Sequence, residues 1–259
     1  MSDLAYLSVR SIGKRFGTGA HALTAVDNMS FDVRQGSFVS ILGPSGCGKS
    51  TLFNMMAGLL APTAGDILLE GRSILCRPGH MGYMLQRDLL LPWRTIEDNI
   101  ILGRTLSGAD VRQARLDAAR LMEKCGLSAF AKKRPDELSG GMRQRAALLR
   151  TLMTGREVLL LDEPFGALDA ITRLQLQMML MALWQETGKT ILFVTHDVEE
   201  AILLADEVLV LTGRPGTVRE RVPIALPRPR SPHMLAGAEA AALRTHLTDL
   251  LSQEVTDHA

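Results

Sequence analysis

One glycine-rich segment constrains the fold of this chain more than any other feature. Its residues are Gly43-Pro44-Ser45-Gly46-Cys47-Gly48-Lys49-Ser50-Thr51. The segment matches the phosphate-loop pattern G-x-x-x-x-G-K-[ST], in which successive backbone N–H groups surround phosphate oxygens. It lies between an apolar run at 38–42, which predicts a buried parallel strand, and a helical pattern at 49–60. An incidental glycine-rich turn is the alternative, and this strand-loop-helix context disfavours it.

The phosphate-loop pattern assigns roles to its own side chains. Lys49 is expected to reach the β- and γ-phosphates of a nucleotide, and the Ser50 hydroxyl to ligate Mg²⁺. The helix that begins near Lys49 would add its positive dipole end to the same site. Cys47 is interpreted as a small residue that the loop tolerates rather than as a nucleophile.

Alternating strand and helix patterns in the second half of the chain predict an α/β fold. Strands predicted at 157–161 and 190–195 flank a helical pattern at 170–186, which is typical of a parallel sheet covered by helices. Two closing strands are predicted at 206–211 and 216–222. An extended linker is predicted at 227–232, followed by a terminal helix.

The first part of the chain and its middle differ from that pattern. Short strands bounded by turns are predicted at 4–9, 30–33 and 66–70. Helical spacing at 107–126 and 140–154 then predicts a helix-rich block inserted between strand-rich neighbours. A length of 259 residues with 46% hydrophobic side chains suffices for one buried domain with a subdomain.

Composition and charge exclude several classes of protein. Lys plus Arg number 29 against 28 for Asp plus Glu, so the basic excess of a nucleic-acid-binding protein is missing. The three cysteines, Cys47, Cys76 and Cys125, show neither a disulfide framework nor metal-ligand spacing. No apolar window approaches the ~18 residues of a membrane span, and the first residues lack a secretory signal. We expect a soluble, intracellular, globular protein.

Two acidic residues directly follow the apolar run at 158–161. Asp162 is expected to hold Mg²⁺, directly or through water, and Glu163 to accept a proton from the attacking water. An acidic turn after an apolar strand is common by itself. The preceding phosphate loop favours the functional interpretation, because parallel strands bring their carboxyl ends to one edge of the sheet.

A further segment admits two interpretations from spacing alone. Its residues are Leu138-Ser139-Gly140-Gly141-Met142-Arg143-Gln144-Arg145. Ser-Gly-Gly at a helix start is either a second anion site or an ordinary helix end for which Ser139 is a good N-cap.

This segment resembles the LSGGQ signature of the ATP-binding-cassette (ABC) ATPases. The other motifs of that family also occur in this chain, and in the family's order. Gln86 matches the Q-loop, Ala167-Leu168-Asp169 the D-loop and His196 the switch histidine. Phe16 lies where the family stacks an aromatic ring on adenine. The resemblance covers about residues 4–225. The signature's usual Gln is Met142 here, and Phe16 replaces the commoner Tyr.

The resemblance implies a fold, a reaction and an assembly. It implies a P-loop NTPase with a parallel-sheet core, an N-terminal antiparallel β subdomain and an inserted α-helical subdomain at about 87–155. The ATPase domain would span 1–226, with a C-terminal linker and helix at 227–259. ATP and Mg²⁺ would bind, with Ser50, Gln86 and Asp162 toward the metal and His196 toward the γ-phosphate.

In the family two such domains face head to tail. Each ATP then lies between one phosphate loop and the other subunit's signature residues, Ser139, Gly140 and Gly141. Because this chain carries every half-site, a homodimer is the simplest assembly, and a heterodimer with a related domain is the other possibility.

Shorter motifs resemble the importer ATPases for nitrate, aliphatic sulfonates and taurine. They are the Leu89-Leu90-Leu91-Pro92-Trp93 stretch, the Arg214-Pro215-Gly216 turn and the 226–230 tail. The Trp93 stretch either docks a partner helix or packs in the core. The resemblance implies transmembrane permease subunits, a solute-binding protein and a peripheral place on the cytoplasmic membrane face.

The alternative is a non-transport ABC ATPase of DNA repair, chromosome organisation or translation. Only about ninety residues separate Gly48 from Ser139, without sustained heptads, and the chain carries one cassette. These features favour the importer.

Overall fold

The computed structural model describes residues 5–19, 22–166 and 168–256. The chain divides into two units, and the first is made of its two ends, Met1–Met81 and Gly188–Ala259. The second unit is Gly82–Thr187. Within the described residues, none of the helices is long and apolar enough to cross a membrane.

The first unit contains an antiparallel sheet. Its strands are β1 (Leu7–Phe16), β2 (Leu23–Val33), β4 (Ala64–Leu69) and β5 (Arg72–Ser73), in the order β2-β1-β4-β5. β1 pairs with both β2 and β4, and its Leu7, Val9 and Ile12 are fully buried. These strands are the predicted N-terminal antiparallel subdomain.

The first unit also contains a largely parallel sheet. Its strands are β3 (Phe38–Leu42), β8 (Thr190–Thr195), β9 (Glu207–Leu211) and β10 (Val218–Pro223), in the order β10-β9-β3-β8. β3 runs parallel to β8 and β9, and every residue of β3 and β8 is buried, as in a sheet covered on both faces. The bounds of β3 and β8 are those predicted from the apolar runs.

Among the described residues, the α-helices of the first unit are α1 (Lys49–Met56), α7 (Val198–Leu204) and α8 (Ala238–Thr256). The prediction that α1 continues to residue 60 was wrong. Gly58 adopts a left-handed φ of 74°, and a Cβ there would lie 2.6 Å from the Arg77 carbonyl carbon. The close approach of the 77–78 backbone therefore requires glycine and ends the helix.

The second unit is mostly helical. Its helices are α2 (Ile96–Ile100), α3 (Leu102–Leu106), α4 (Val111–Lys124), α5 (Gly140–Leu152) and α6 (Ala170–Thr187). Its strands β6 (Gly82–Met84) and β7 (Val158–Asp162) pair in parallel. α4, α5, α6 and β7 match their predicted positions within a few residues. β6, α2 and α3 were missed, because three to five residues are too few to show a period.

The predicted linker at 227–232 is not a solvated connection. Residues 227–231 have no regular secondary structure, yet Arg230 among them is only 3% exposed. A buried arginine needs partners for its charge and its hydrogen-bond donors. This segment is therefore packed against the domain and does not act as a spacer between the domain and the terminal helix.

Candidate functional site

The phosphate-loop segment connects β3 to α1 with a backbone that only glycine fits at one position. Gly48 has a φ of 99°, and a Cβ there would lie 2.7 Å from the Ala25 carbonyl oxygen and 2.8 Å from Val26 Cγ2. Gly46 also has a left-handed φ, of 79°. These residues let the chain curl tightly after the strand, as a phosphate-binding loop requires.

Lys49 lies inside this loop. The side chain is 7% exposed, and its Nζ donates to the carbonyl oxygens of Gly43 (2.7 Å) and Pro44 (2.9 Å). Ser50 is exposed and Thr51 half-buried in the first turn of α1. A tightly curled glycine loop, an internal ammonium group and a helix N-terminus together have the chemistry that a nucleotide's phosphates need.

Cys47 is buried in the loop, with its Sγ 3.8 Å from Lys49 Nζ. Burial raises the pKa of the Cys47 thiol and outweighs the opposite effect of the Lys49 charge. The thiol therefore stays protonated at neutral pH, which agrees with its interpretation as a packing residue and not a nucleophile.

The Arg214-Pro215-Gly216 turn braces the same loop, a contact that the sequence analysis missed. Arg214 donates from Nε and Nη2 to the Gly46 carbonyl at 3.2 and 3.1 Å. A Cβ on Gly216 would lie 2.0 Å from the Cys47 carbonyl oxygen. From the sequence, this turn was interpreted only as a subfamily motif. Its position between the two predicted closing strands is the signal that could have predicted its contact with the phosphate loop.

His196 lies at the same end of the first unit's sheet as the phosphate loop. In the parallel pairing of β3 and β8, Leu42 is opposite Thr195, so Gly43 and His196 both follow directly after paired positions. The His196 side chain is exposed. This register brings together two motifs that are about 150 residues apart in the chain.

Phe16, the predicted adenine platform, ends β1 in the first unit. Its ring is 40% exposed, and Lys14 Nζ lies 5.1 Å from the ring centroid. The face of an aromatic ring is electron-rich and attracts a cation such as the Lys14 ammonium group. The Phe16 ring is in addition partly open to solvent. Stacking on adenine stays a prediction for this residue.

Asp162 and Glu163 follow β7 in the second unit. Asp162 is 4% exposed and accepts a 3.5 Å hydrogen bond from the Tyr83 hydroxyl. Burial, together with the Asp162 charge, raises the pKa of Tyr83, so the phenol remains a donor. Tyr83 was not predicted from the sequence, because a single tyrosine outside any motif carries no signal of a role.

Glu163 is held in a left-handed conformation, with a φ of 45°. Such a backbone is unfavourable for a residue with a Cβ and persists where the surrounding structure enforces it, often at functional sites. Gln86 Nε2 donates to Glu163 Oε2 at 3.1 Å. The register explains this contact, because Met84 pairs with Leu161 and each partner lies two residues further on.

The Ser-Gly-Gly segment begins α5 in the second unit. Ser139 is its N-cap, with the side-chain oxygen accepting from Met142 N at 3.3 Å. Ser139 and Gly140 are exposed, and a Cβ on Gly141 would lie 2.6 Å from Thr172 Cγ2. The helix end is thus conventionally capped and also presents its first turn to solvent. Of the D-loop residues, Ala167 lies outside the described residues, and Asp169 accepts from Thr172 N at 3.0 Å.

The predicted metal ligands are oxygen donors of the kind that Mg²⁺ prefers: a hydroxyl, an amide and a carboxylate. Ser50 belongs to the first unit, and Gln86 and Asp162 belong to the second. In the part of the chain that the structure describes, no group of three His, Cys, Asp or Glu side chains could hold a metal.

Comparison with known proteins identifies the family. The family model described as "ABC transporter" matches residues 26–166. The chain is 46% identical over 207 residues to a taurine import ATP-binding protein of Rhizobium johnstonii, covering 80% of this chain and 78% of the relative. It is 41% identical over 223 residues to a taurine import ATP-binding protein of Roseobacter denitrificans, covering 85% and 83%.

A solved structure supports the fold. It is a dimeric ATP-binding cassette in a post-hydrolysis state bound to ADP and Pi. It superposes with a TM-score of 0.75 at 28% identity, over 85% of this chain and 99% of its own. The chain combines this fold and these relatives with a phosphate loop, a signature, a Q-loop and a switch histidine. We conclude that the chain belongs to the ABC transporter ATP-binding family and is an ATPase.

Proposed function

We propose that this chain is the ATP-hydrolysing subunit of an importer for a small solute of the nitrate, aliphatic sulfonate or taurine type. The observation that carries this proposal is its identity of 41–46% to taurine import ATP-binding proteins over at least four fifths of its length. These relatives favour transport over the DNA-repair and chromosome-organising alternatives.

In this proposal Glu163 is the general base. Its carboxylate takes the proton from the attacking water, and Gln86 orients that carboxylate through the 3.1 Å hydrogen bond. Lys49 and the backbone of the 43–51 loop bind the phosphates, and His196 donates to the γ-phosphate. Mg²⁺ held by Ser50, Gln86 and Asp162 would neutralise charge that develops on the phosphate oxygens.

Exchange of Glu163 for glutamine tests this assignment. Glu163→Gln keeps the size and hydrogen-bonding shape but removes the base, so ATP hydrolysis should fall by about 10²- to 10⁴-fold with ATP affinity nearly unchanged. Glu157→Gln is the matched control, because Glu157 is an exposed carboxylate at the opposite end of β7. Steady-state phosphate release and ATP titration provide the readouts. Brisk hydrolysis by Glu163→Gln would place the base elsewhere.

We further propose that the permease subunit docks on an apolar surface formed by Leu85, Leu89 and Trp93, here called the Trp93 surface. Trp93 is 69% exposed, Leu89 is 52% exposed and Leu85 is also exposed, whereas Leu90 is buried. Tryptophan is among the residue types that are enriched in binding hot spots. The core interpretation therefore holds for Leu90 and not for Trp93.

Buried polar contacts fix the segment that carries the Trp93 surface. Asn99 is fully buried, accepts from Leu91 N at 2.7 Å and donates to the carbonyls of Leu91 and Thr95 at 3.1 and 2.9 Å. Arg150 donates to the Leu89 carbonyl at 2.7 Å. A surface fixed before binding loses less conformational entropy when a partner docks, which favours a specific interface.

The assembly in this proposal is a pair of these chains with membrane permease subunits on the cytoplasmic face. The ATPase domain spans 1–226, with its helical subdomain at about 87–155, and residues 227–259 follow it as a packed segment and a helix. Closure of the pair around ATP would drive transport, and a solute-binding protein would deliver the cargo.

The substrate class can be tested with purified chain, permease and binding protein in vesicles. The vesicles are supplied in turn with taurine, an alkanesulfonate, nitrate or a sugar, and one of the first three should stimulate ATP hydrolysis. Stimulation by the sugar alone would overturn the substrate class.

A further inference from the structure

The C-terminal segment closes off the end of α7 with a buried arginine. Arg230 Nη1 donates to the carbonyl oxygens of Ile202 (2.9 Å), Leu203 (3.5 Å) and Ala205. Its other nitrogens donate to the carbonyls of Leu226 and Ile224, so the whole guanidinium fork is used. Burial, with the nearby Arg228 charge, lowers the pKa of Arg230 to about 10, and the side chain stays cationic at neutral pH.

A second arginine completes this cap. Arg228 Nη2 donates to the Leu204 carbonyl and also to Asp206 Oδ1, each at 2.7 Å. The last carbonyls of a helix lack intrahelical partners, and cations near that end also interact favourably with the helix dipole. Arg228 and Arg230 therefore supply from the tail the partners that the end of α7 lacks.

The other end of α7 begins directly after His196. Asp197 is the N-cap, accepting from the backbone N–H of Glu199 at 2.8 Å and of Glu200 at 3.2 Å. Thr195, on the other side of His196, donates to Glu200 Oε2 at 2.6 Å. Both neighbours of His196 are thus bonded to the first turn of α7, so the backbone at His196 follows the position of that helix.

α8 holds this first turn as well. Arg244 Nη2 pairs with Glu199 Oε1 at 3.0 Å and donates to the Leu235 carbonyl at 2.9 Å. α7 has only seven residues, too few to be stable as a helix by itself, so its placement depends on such contacts. The C-terminal segment grips it at both ends.

We propose that the segment from Arg228 to Arg244 is a clamp that positions His196 through α7, with Arg230 and Arg244 as its positioning residues. The inference rests on the proposed role of His196 at the γ-phosphate. Displacing a positioned group by about 1 Å can lower a rate by as much as ~10²-fold, so loosening α7 should act on kcat more than on ATP affinity.

The test compares Arg230→Gln, Arg230→Lys and Arg244→Gln with Arg221→Gln. Arg221 is a matched control, because it pairs with Glu207 across two strands of the same unit and its bonds do not involve α7. Each purified chain is measured for kcat, KM and the NMR signal of the His196 ring, assigned with His196→Gln. We expect Arg230→Gln to lower kcat by about tenfold with KM within about twofold, and to shift or broaden the His196 signal. Arg230→Lys should recover part of the loss, and Arg221→Gln should match wild type.

If Arg230→Gln does not fold, the Arg244–Glu199 ion pair at the other end of α7 provides a second test of the clamp. Arg244→Gln should lower kcat by about threefold, and exchanging the charges, Arg244→Glu with Glu199→Arg, should recover the part of that loss that comes from the Arg244–Glu199 ion pair. Wild-type kcat and an unchanged His196 signal in the folded Arg230 and Arg244 variants would overturn the clamp. If His196→Gln itself leaves kcat unchanged, the proposed role of His196 fails instead, and the ring signal alone decides whether the segment positions the residue.

Discussion

Left-handed backbone occurs in both units at residues of the proposed site, with different costs. At Gly48 it costs little, because glycine has no Cβ. At Glu163 it costs on the order of 1–3 kcal/mol, yet the chemistry requires a carboxylate there. The surrounding strand pairing must supply that free energy. The sequence identified Glu163 by its position after an apolar run, but its backbone strain depends on the folded turn.

Exchange of Gly48 for alanine separates conformational strain from steric overlap. Gly48→Ala should lower the free energy of unfolding by more than the ~1–2 kcal/mol of a left-handed alanine, because the new Cβ meets the Ala25 carbonyl oxygen at 2.7 Å. ATP binding should be lost as the loop shifts. Urea unfolding and ATP titration measure the two effects.

Gly71→Ala is the control for that experiment. Gly71 has a φ of 74°, and a Cβ there meets nothing within 4 Å, so only the conformational cost remains. Equal destabilisation and normal ATP binding in both variants would show that the phosphate loop tolerates a side chain at residue 48.

Helices and strands with a clear hydrophobic pattern were predictable from the sequence. Very short elements, and contacts between residues far apart in the chain, were not. β3 and β8 are runs of five and six mainly apolar residues, and the burial of every residue is the pattern of a strand covered on both faces. α2 and α3 have five residues each, and their positions depend on tertiary contacts such as the Asn99 hydrogen bonds. The Arg230 cap was hidden for the same reason, because a P-R-P-R pattern has the composition of a linker.

The segment of the Trp93 surface provides a prediction at this scale. Trp93→Ala should change the free energy of unfolding by less than ~0.5 kcal/mol, because the ring is 69% exposed, while Leu90→Ala should cost ~2–4 kcal/mol. Trp93→Ala should nevertheless reduce solute transport in vesicles more than ATPase activity of the chain alone. Thermal unfolding of Trp93→Ala well below wild type would return the residue to the core.

For the whole molecule, the prediction concerns assembly. Glu163→Gln with saturating ATP should elute as a dimer in size-exclusion chromatography, because in the proposed assembly the intact γ-phosphate would continue to bridge the phosphate loop of one chain and Ser139 of the other. Adding Ser139→Phe should restore the monomer by covering the exposed helix start. Ser107→Phe is the control, since Ser107 is also an exposed serine of the second unit. A monomeric Glu163→Gln at saturating ATP would mean that the permease is needed to join the two chains.

The first unit is built from both ends of the chain, and this has a consequence for protein synthesis. β3 is complete when the ribosome reaches residue 42, but its partners β8 and β9 lie at 190–195 and 207–211. At a translation rate of ~5–20 residues per second, β3 waits roughly 8–30 s for β8. Throughout that time a largely apolar strand, Phe38–Leu42, in which Ser40 is the polar residue, has an unpaired edge that can associate with other nascent chains. Slow translation of the second unit would lengthen that exposure, so yield should depend on codon usage between residues 82 and 187 and on the supply of chaperones.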